Sequence, residues 1–569
     1  MDIDHKETDV LVIGGGLAGC FAAIRAAQLG KKVTLVDKAK VARSGASTFI
    51  NQMLAPTPPA EIKAWKKELV ERGEYLNDQE WVETMLREEK DRVQDLVDWG
   101  VPFERTPSGD LFVKRGRGHV VTGAVLCNGH TMMDALRKKA LSLGVVIEDR
   151  VTITDLLTTD GKRPTLDRVC GAVGFHSREG TPFAFRAGAV VITSGQIGSK
   201  MRCHFVNNLS GDGPAMAYRA GTEMINMEFC TTGNVSYFEK RFHVGSQALL
   251  VGMGAKFLNA SGERFMPKYD PSLMERSKLS VLVQAFAKEG VSGRGPCYWD
   301  MTSFTPEDVA MVRRLLPTTM RPFDEAKIDI NKRLVECSPV VQVASMCGEG
   351  GIRIDLNCQS TIPYLYAAGA AARNPIHGIY SVAGINLAFC NVAGYRAGES
   401  AAKNGSMANL SASQVNNTLK AMFAMLDKKT GPRPDEIVRE FQRTVIPAKI
   451  SMFKREERIK DTLVKLADLR KRAAEMRAVD VHDLVKAAEA QNLLQVTELV
   501  FIAALERKES RAWHFREEYP YTDDKAWLKW IIVKLGEDGQ PHTWKEPVPF
   551  DRYEFTVANP KKTPHPLSV

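Results

Sequence analysis

Residues 9–37 read DVLVIGGGLAGCFAAIRAAQLGKKVTLVD, and this stretch decides the fold class. Its apolar start predicts a buried strand, the alanine-rich segment predicts a helix, and a second apolar strand ends on Asp37. Gly14, Gly16 and Gly19 stand before and within the helix start in the G-x-G-x-x-G register. Such glycines let the backbone approach a pyrophosphate, the helix N-terminus supplies N–H donors, and the acid accepts from a ribose hydroxyl. The unit therefore predicts an α/β domain that binds a dinucleotide, and it leaves FAD and NAD open.

The composition is that of an ordinary globular protein. The chain has 569 residues, 44% hydrophobic and 25% charged, a length that predicts about three or four domains. No apolar run approaches the ~18 residues of a membrane span, and the first strand lies too near Met1 to leave room for a signal peptide. We therefore expect a cytoplasmic protein without direct membrane insertion. The net charge of +9 is mild for this length and does not indicate nucleic acid.

Ten cysteines are scattered along the chain with no C-x-x-C spacing among them. Disulfides are unusual in the cytoplasm, and iron–sulfur or zinc ligation lacks its usual spacing here. The sequence therefore predicts reduced thiols and no metal site.

The pattern of residues divides the chain into successive regions. Residues 1–230 begin with the dinucleotide unit, and 231–344 mix short strands with charged helices, which predicts an inserted domain. Small residues return at 345–410, and 411–530 are helical and charged. Residues 531–569 are expected to form a C-terminal tail.

Small and glycine-rich segments recur where the chain is expected to return to the nucleotide. One follows the second strand, and another ends a predicted β-meander that spans 151–175 and 183–192. Others are the SGDG turn at 210–213 and the YLYAAG turn at 364–369. Besides the glycine motif and Asp37, we expect these residues to line the cofactor: Lys38, Ser44, Gly45, Ala46, Ser194, Gly195, Asp212, Gly369 and Asn386.

Four blocks in this order resemble the flavoprotein subunits of the fumarate reductase and succinate dehydrogenase superfamily, which includes L-aspartate oxidase and the α subunit of adenylylsulfate reductase. The blocks are the glycine motif, SGDG, YLYAAG and ESRAWHFREEYPYTDD at 509–524. The resemblance covers nearly the whole chain and implies FAD as the cofactor. It also implies an α/β fold, in which a Rossmann-like FAD-binding domain (1–230 and 345–410) carries an inserted α+β capping domain (231–344) and a C-terminal helical domain (411–530).

Several departures from that superfamily concern the substrate and the cofactor linkage. Fumarate reductases and succinate dehydrogenases carry R-S-H-T, whose histidine is bonded to the flavin, whereas this chain has Gly45 in that place, so we expect non-covalent FAD. Their cationic substrate-binding groups fall on other residue types: Cys230, Thr231 and Thr232 after M-E-F, Val251, Gln342, and Ser381 or Val382. Each charged hydrogen bond contributes about 1.5–3 kcal/mol. Losing such groups together predicts a substrate other than a C4 dicarboxylate.

The α subunit of adenylylsulfate reductase is more similar at several of these positions. Its G-L-S-A-I-N-T segment is similar to residues 47–51, which places Asn51 on the flavin side. Its S-G-E-A-G segment is similar to residues 347–351, and its A-N-P-H segment is similar to residues 373–377, with one residue inserted before His377. A diverged relative of adenylylsulfate reductase that acts on another substrate is at least as well supported as adenylylsulfate reductase itself.

The resemblance implies a catalytic site that contains Asn51, Arg241 and His377, although Arg241 aligns only loosely with a substrate-binding arginine. The arginine fork can donate twice to an anion, and a histidine near its unperturbed pKa can transfer a proton at neutral pH. The alternatives are an asparagine that contacts only the flavin, a solvated arginine and a structural histidine.

Other polar residues have simpler interpretations. His130, which replaces the acid of an N-G-E-S segment in adenylylsulfate reductase, stands at a predicted helix start. Arg511, His514 and Arg516 are explained more readily by ion pairs that tie the helical domain to the FAD domain than by substrate contact.

Three classes of function remain open. The first is a FAD-dependent oxidoreductase, a flavoprotein subunit that carries out two-electron redox on a small anionic substrate other than succinate or fumarate. The second is an adenylylsulfate-type reductase, in which sulfur meets the flavin. The third is a non-catalytic electron-transfer flavin subunit of a larger redox complex. Because no cysteine spacing supports a cluster within the chain, we expect its partner to be an iron–sulfur electron-transfer subunit.

Overall fold

A computed structural model describes residues 2–115, 118–201, 207–244, 247–344, 349–379 and 382–568. Its first elements are β1 (Asp4–Ile13), α1 (Leu17–Gln28), β2 (Val33–Asp37), β3 (Gln52–Leu54), α2 (Ile62–Arg72), α3 (Gln79–Asp98), β4 (Val113–Lys114), β5 (Ala124–Leu126), α4 (Gly129–Ser142) and β6 (Val146–Asp149). The strand, loop, helix and second strand of the glycine motif are all present. β1 pairs in parallel with β2, and Val10 lies opposite Val33.

The next segment completes the central sheet. It contains β7 (Val151–Thr158), β8 (Val169–His176), β9 (Pro182–Ile192), α5 (Asp212–Ala220) and β10 (Met224–Ile225). The strands β7, β8 and β9 form the predicted antiparallel meander, and β9 also pairs in parallel with β1. The sheet order is β6-β2-β1-β9-β8-β7, which confirms the α/β fold class. Because parallel strands share one orientation, Ile13, Asp37 and Ile192 end at the same edge of the sheet.

The inserted segment has a sheet and an apolar core of its own. Its elements are β11 (Thr232–Phe238), β12 (Phe242–His243), α6 (Gln247–Gly252), β13 (Lys256–Leu258), α7 (Met266–Tyr269), α8 (Leu279–Val291), β14 (Cys297–Asp300), α9 (Pro306–Leu315), α10 (Pro317–Glu325) and β15 (Val335–Gln342). The sheet order is β12-β11-β15-β14-β13. Trp299 and Phe257 are fully buried at its centre, with ring centroids 4.8 Å apart. This antiparallel unit lies in the region expected to form the capping domain, and we call it the capping segment.

The next elements are β16 (Gly351–Ile352), β17 (Leu365–Ala367) and α11 (Ile385–Asn404), of which β17 returns to the central sheet. β17 pairs in parallel with β9. α11 packs against α1, and a Cβ on Gly394 would lie 2.5 Å from the Ala18 carbonyl oxygen. Glycine is required at this crossing because any side chain would separate the two helices.

The remaining elements are α12 (Ala412–Asp427), α13 (Pro434–Val445), α14 (Ala448–Ser451), β18 (Phe453–Lys454), α15 (Glu456–Ala474), α16 (Val481–Glu506), β19 (Phe515–Arg516), β20 (Tyr521–Asp523), α17 (Asp524–Trp527), β21 (Lys529–Leu535), β22 (Pro541–Pro547) and β23 (Lys562–Pro564). Ile459, Leu466 and Leu469 of α15 are buried, as their spacing predicts. Among the described residues, no helix combines the length and the apolar character needed to cross a membrane.

The C-terminal segment, expected as a tail, is built into the FAD-binding region. β21 pairs with β10, and the resulting sheet has the order β16-β10-β21-β22. Ile531 and Ile532 are fully buried. The composition of residues 531–569 does not reveal this pairing, because the partner strand lies about 300 residues earlier in the chain.

Candidate functional site

A cleft opens where β1, β2 and β9 end. Ligands of open α/β sheets bind at this edge. Of the residues expected to line the cofactor, these line the cleft: Gly14, Gly16, Asp37, Lys38, Ser44, Gly45, Ala46, Ser194, Gly195, Asp212, Gly369 and Asn386. Segments from three distant parts of the sequence therefore meet where the glycine motif predicts.

Gly14 and Gly19 are required by close packing. Gly14 has φ +111°, and a Cβ on it would lie 2.5 Å from the Thr193 carbonyl oxygen. Gly19 does not line the cleft, and a Cβ on it would overlap the carbonyl oxygen of Gly14. The last glycine of the motif thus allows α1 to pack closely on the strand, while the others form the floor of the cleft.

The N-terminus of α1 faces this cleft without a capping side chain of its own, because Gly16 is its N-cap. The Leu17 N–H donates to Ser47 Oγ at 3.1 Å, which ties the segment after β2 to the helix start. Asp37 lies at the end of β2, where its carboxylate accepts from the Gly15 and Ala39 N–H groups at 2.9 and 2.8 Å. The arrangement has the donors and the acid that a dinucleotide needs.

Lys38 is held by acidic side chains at the wall of the cleft. Its ammonium lies 2.8 Å from Asp212 Oδ2 and 2.7 Å from Glu489 Oε1, and it donates to Ser210 Oγ at 3.0 Å. Burial alone would lower the pKa of Lys38, but Asp212 and Glu489 raise it above its usual value. Lys38 therefore stays charged and joins α16 to the cleft.

His377 lies in the loop before α11 and does not line the cleft. Asn374 in the same loop donates from Nδ2 to Oδ1 of Asn386, which does line the cleft, at 3.1 Å. The His377 side chain is 1% exposed. Burial and then the nearby Arg373 guanidinium lower its pKa to about 3. The expectation of a near-normal pKa for His377 is therefore wrong, because the ring is desolvated beside a cation and stays neutral at pH 7.

Asn51 and Arg241 occupy different settings. Asn51 is half-buried next to the cleft residue Ile50, and its carbonyl accepts from the Cys127 N–H at 3.1 Å. Arg241 is exposed in the turn between β11 and β12, where its N–H donates to the Phe238 carbonyl. Neither side chain lines the cleft, so their joint role with His377 stays a prediction.

The positions that depart from the dicarboxylate-binding pattern are apolar or uncharged where described. Val251 is 5% exposed and packs in the core of the capping segment, and Val382 is 1% exposed. Cys230 and Thr231 are fully buried. Cys347 and Ser381, and the side chain of Gln342, lie outside the described residues.

Arg511, His514 and Arg516 are buried within the protein. Arg511 lies 2.9 Å from both Glu509 and Asp524 and 3.5 Å from Glu74. Arg516 donates to the Ala504 carbonyl at 2.8 Å. These contacts connect the C-terminal block to the N-terminal part of the chain and favour the structural interpretation. His130 is exposed in the first turn of α4, which Asn128 caps through its side chain.

Sequence reasoning missed several residues of the cleft. Thr193 donates from Oγ1 to the Gly14 carbonyl at 2.7 Å, and Thr152 of the meander also lines the cleft. Ser47 and Gln196 also line the cleft. Thr193 adjoins the predicted Ser194–Gly195 pair and could have been included on that ground, whereas no local signal marks Thr152.

Comparisons with known proteins agree with this geometry. Residues 9–387 match the FAD binding domain family, and residues 439–563 match the fumarate reductase flavoprotein C-terminal family. The chain is 30% identical to a subunit of the fumarate reductase (CoM/CoB) of Methanothermobacter marburgensis, covering 94% of this chain and 98% of that protein.

Two solved structures show the same fold. Quinol fumarate reductase of E. coli has a TM-score of 0.86 at 24% identity, covering 98% of this chain and 99% of that one. Adenylylsulfate reductase of Archaeoglobus fulgidus has a TM-score of 0.78 at 20% identity, covering 96% and 97%.

The fold and the cleft define a FAD-dependent oxidoreductase. The chain belongs to the fumarate reductase and succinate dehydrogenase family of flavoproteins, whose members resemble it over nearly its whole length.

Proposed function

We propose that this flavoprotein carries out a two-electron redox reaction on a small anionic substrate other than succinate or fumarate. The proposal is carried by the apolar or uncharged residues that stand where the resemblance places dicarboxylate-binding cations. Val251, at the place of an arginine in fumarate reductases, is buried in an apolar core and offers no charge. A C4 dicarboxylate would leave carboxylates uncompensated there, which is strongly unfavourable.

The residues of the chain fit FAD at the cleft. The N-terminus of α1 and the glycines of its loop would hold the pyrophosphate, and Asp37 would accept from a ribose hydroxyl. Gly45 lines the cleft and carries no side chain to which a flavin could be bonded, which supports non-covalent binding. Bound FAD supplies the two-electron chemistry. The neutral ring of His377 and the Asn51 amide would orient the substrate or hold a proton near it.

We further propose an external electron partner of the iron–sulfur type. Two observations support this partner: several relatives are named as subunits, and the described residues contain no group of three or more side chains suited to a metal ion. Reducing equivalents would then pass between the flavin and a separate protein.

Fumarate reduction is the second candidate. It is favoured by the 30% identity to a protein named as one subunit of fumarate reductase (CoM/CoB), over nearly the full length of both chains. An adenylylsulfate substrate is supported by the similarity at Asn51 and at residues 373–377, while the solved reductase supports the fold alone.

The experiment is reoxidation of the chemically reduced holoprotein under anaerobic conditions. Fumarate, adenylylsulfate and other small anions are added singly, and the return of the oxidised flavin spectrum is followed. We expect negligible reoxidation by fumarate and rapid reoxidation by another anion. A robust fumarate rate would reject the proposal in favour of the second candidate, and slow reoxidation by every anion would favour an electron-transfer role.

A further inference from the structure

Lys454 is a fully buried lysine at the junction of the helical, capping and FAD-binding regions. It ends β18 and lies opposite Arg516 of β19 in a parallel pair. Its ammonium donates to Thr231 Oγ1 at 3.2 Å, and Thr231 Oγ1 donates onward to the Ser451 carbonyl at 3.2 Å. Thr231 immediately precedes β11, the first strand of the capping segment.

Lys38 and Arg507 are buried cations that acids compensate, and Lys454 lacks such a partner among the described residues. Lys38 pairs with two carboxylates, and Arg507 pairs with Glu228 and Glu509 at 2.7 and 2.9 Å. Among the described residues, no carboxylate oxygen lies within ion-pair distance of Lys454. An ammonium has three donors, and the hydroxyl of Thr231 uses one. A buried charge in this state is strongly unfavourable unless another group completes the site.

The groups that face Lys454 are charged or ionisable. Burial lowers the pKa of Lys454 to about 7, with Arg516 acting in the same sense and Cys230 and Glu228 in the opposite sense. His514, whose own pKa is lowered by burial and by Lys454, stays neutral.

One buried N–H group is left over by the fold. Arg516 Nη2 is buried and lacks a hydrogen-bond partner in the described part of the chain. Glu456 Oε2 lies 4.0 Å from Arg516 Nη2, which is too far for a hydrogen bond. His514 Nε2 donates to the Arg507 carbonyl, so Nδ1 of this neutral ring is an acceptor and supplies no further donor. The Lys454 ammonium and Arg516 Nη2 therefore present buried N–H groups that the described part of the chain leaves without an acceptor.

We propose that Lys454 and Arg516 form a binding site for a small oxyanion at this junction, with Thr231 fixing the position of the lysine. A carboxylate or sulfo group would accept hydrogen bonds from the unused donors and supply the missing negative charge. None of Lys454, Arg516 and Thr231 lines the FAD cleft, so the inference goes beyond the proposed function and does not depend on it. Lysine, unlike an acid-paired arginine, can lose its proton when the anion leaves.

The geometry makes the site sensitive to pH. An anion near the ammonium favours the charged form of Lys454, so binding takes up a proton when the pH is above the pKa of the empty site. Affinity is therefore greatest below about pH 7, where Lys454 is already charged, and it weakens as the pH rises above that pKa. Lys454→Arg keeps its charge and should bind the anion without this dependence.

The test is thermal unfolding of the FAD-loaded protein in increasing sulfate, with chloride at matched ionic strength. Lys66 gives a matched control, because it is buried but pairs with Glu83 at 2.8 Å. We expect a saturable rise of Tm with sulfate in wild type, Lys66→Met and Lys454→Arg, and none in Lys454→Met. A rise that grows without saturation in all four reflects exclusion of sulfate from the protein surface and contradicts the proposal.

A second readout separates this site from a structural lysine. Without sulfate, Lys454→Met should unfold at a higher temperature than wild type, because it removes an uncompensated charge, whereas Lys66→Met should unfold at a lower one. The proposal is overturned if Lys454→Met keeps the saturable response or is less stable than wild type in chloride. If Lys454→Met does not fold, Lys454→Arg provides the test. The proposal requires that the sulfate response of Lys454→Arg lacks the pH dependence seen in wild type, and an unchanged pH dependence overturns it. Because no turnover is measured, failure here is distinguishable from failure of the proposed function.

Discussion

The ammonium of Lys38 lies 2.7 Å from Glu489 Oε1, although the two residues are 451 positions apart in the chain. Glu489 belongs to α16, and Lys38 follows Asp37 at the wall of the FAD cleft. Asp212, at the start of α5, completes the network at 2.8 Å. This contact fixes the helical region against the cofactor domain, so the stability of the two regions should be coupled.

Replacing Lys38 with Met should destabilise the protein and weaken FAD binding together. The substitution leaves the Asp212 and Glu489 carboxylates in a largely buried place without this partner. We expect a loss of about 3 kcal/mol in the free energy of unfolding, the lower end for breaking a buried ion pair, since the Lys38 side chain is 19% exposed. Urea unfolding with and without FAD measures it.

Lys63→Met is the control for this prediction. Lys63 pairs with Glu554 at 2.8 Å, but its side chain is 78% exposed. Water screens such a pair, so we expect no measurable change in stability or FAD affinity. Equal losses in both variants would show that the Lys38 network does not join the two regions.

Local sequence patterns predict the FAD cleft well, and long-range contacts set the limits. The glycine motif predicts the cleft because its strand, loop, helix and acid are contiguous in the sequence. Each close backbone approach that the cleft needs also falls on a residue of the motif, such as Gly14. The Lys38–Glu489 pair and Thr152 of the meander depend on chain crossings that no local pattern encodes. The pKa of His377 is likewise set by burial and by Arg373, and composition around a histidine does not report burial.

FAD should be released from this protein by acid precipitation. The resemblance to fumarate reductases implies that Gly45 replaces a flavin-bonded histidine, and Gly45 lines the cleft with open space at its Cβ position. The measurement is the partition of yellow FAD between supernatant and pellet after trichloroacetic acid. We expect all of it in the supernatant, whereas flavin that stays with the precipitated chain would show a covalent bond at another residue.

Acid should destabilise the fold through buried neutral histidines. Burial lowers the pKa of His377 to about 3 and of His565 to about 4, and it also lowers the pKa of His514. In the unfolded chain these rings bind protons below about pH 6.5, while the folded protein does not bind them until the folded pKa is reached. Stability is therefore fully present above about pH 6.5 and falls by about 1.4 kcal/mol per pH unit for each ring below it.

His565→Asn isolates one of these protons. The Asn amide oxygen can accept the Leu567 N–H that His565 Nδ1 accepts at 3.3 Å, so the local contact is retained. Urea unfolding between about pH 7.5 and pH 4.5 should then show a smaller loss of stability with falling pH than in wild type. The difference in slope should correspond to about one fewer proton taken up on unfolding. His482→Asn, at an exposed position of α16, should leave the slope unchanged. An identical slope in His565→Asn would mean that this histidine is protonated in the folded state.

His377→Ala should lower turnover by about 10²-fold while FAD stays bound, the loss expected when a group that positions the substrate is removed. Because the folded pKa of His377 is about 3, the ring is neutral throughout the neutral range. The wild-type rate should accordingly show no titration of this group near pH 6.5, where an exposed histidine would titrate. The rate of flavin reoxidation by the best anion, measured across this pH range, checks both statements. His482→Ala serves as the exposed control and should match wild type, as should the FAD content of every variant. If His377→Ala turns over at the wild-type rate, the histidine is structural, and its loop serves only to hold Asn374 against Asn386.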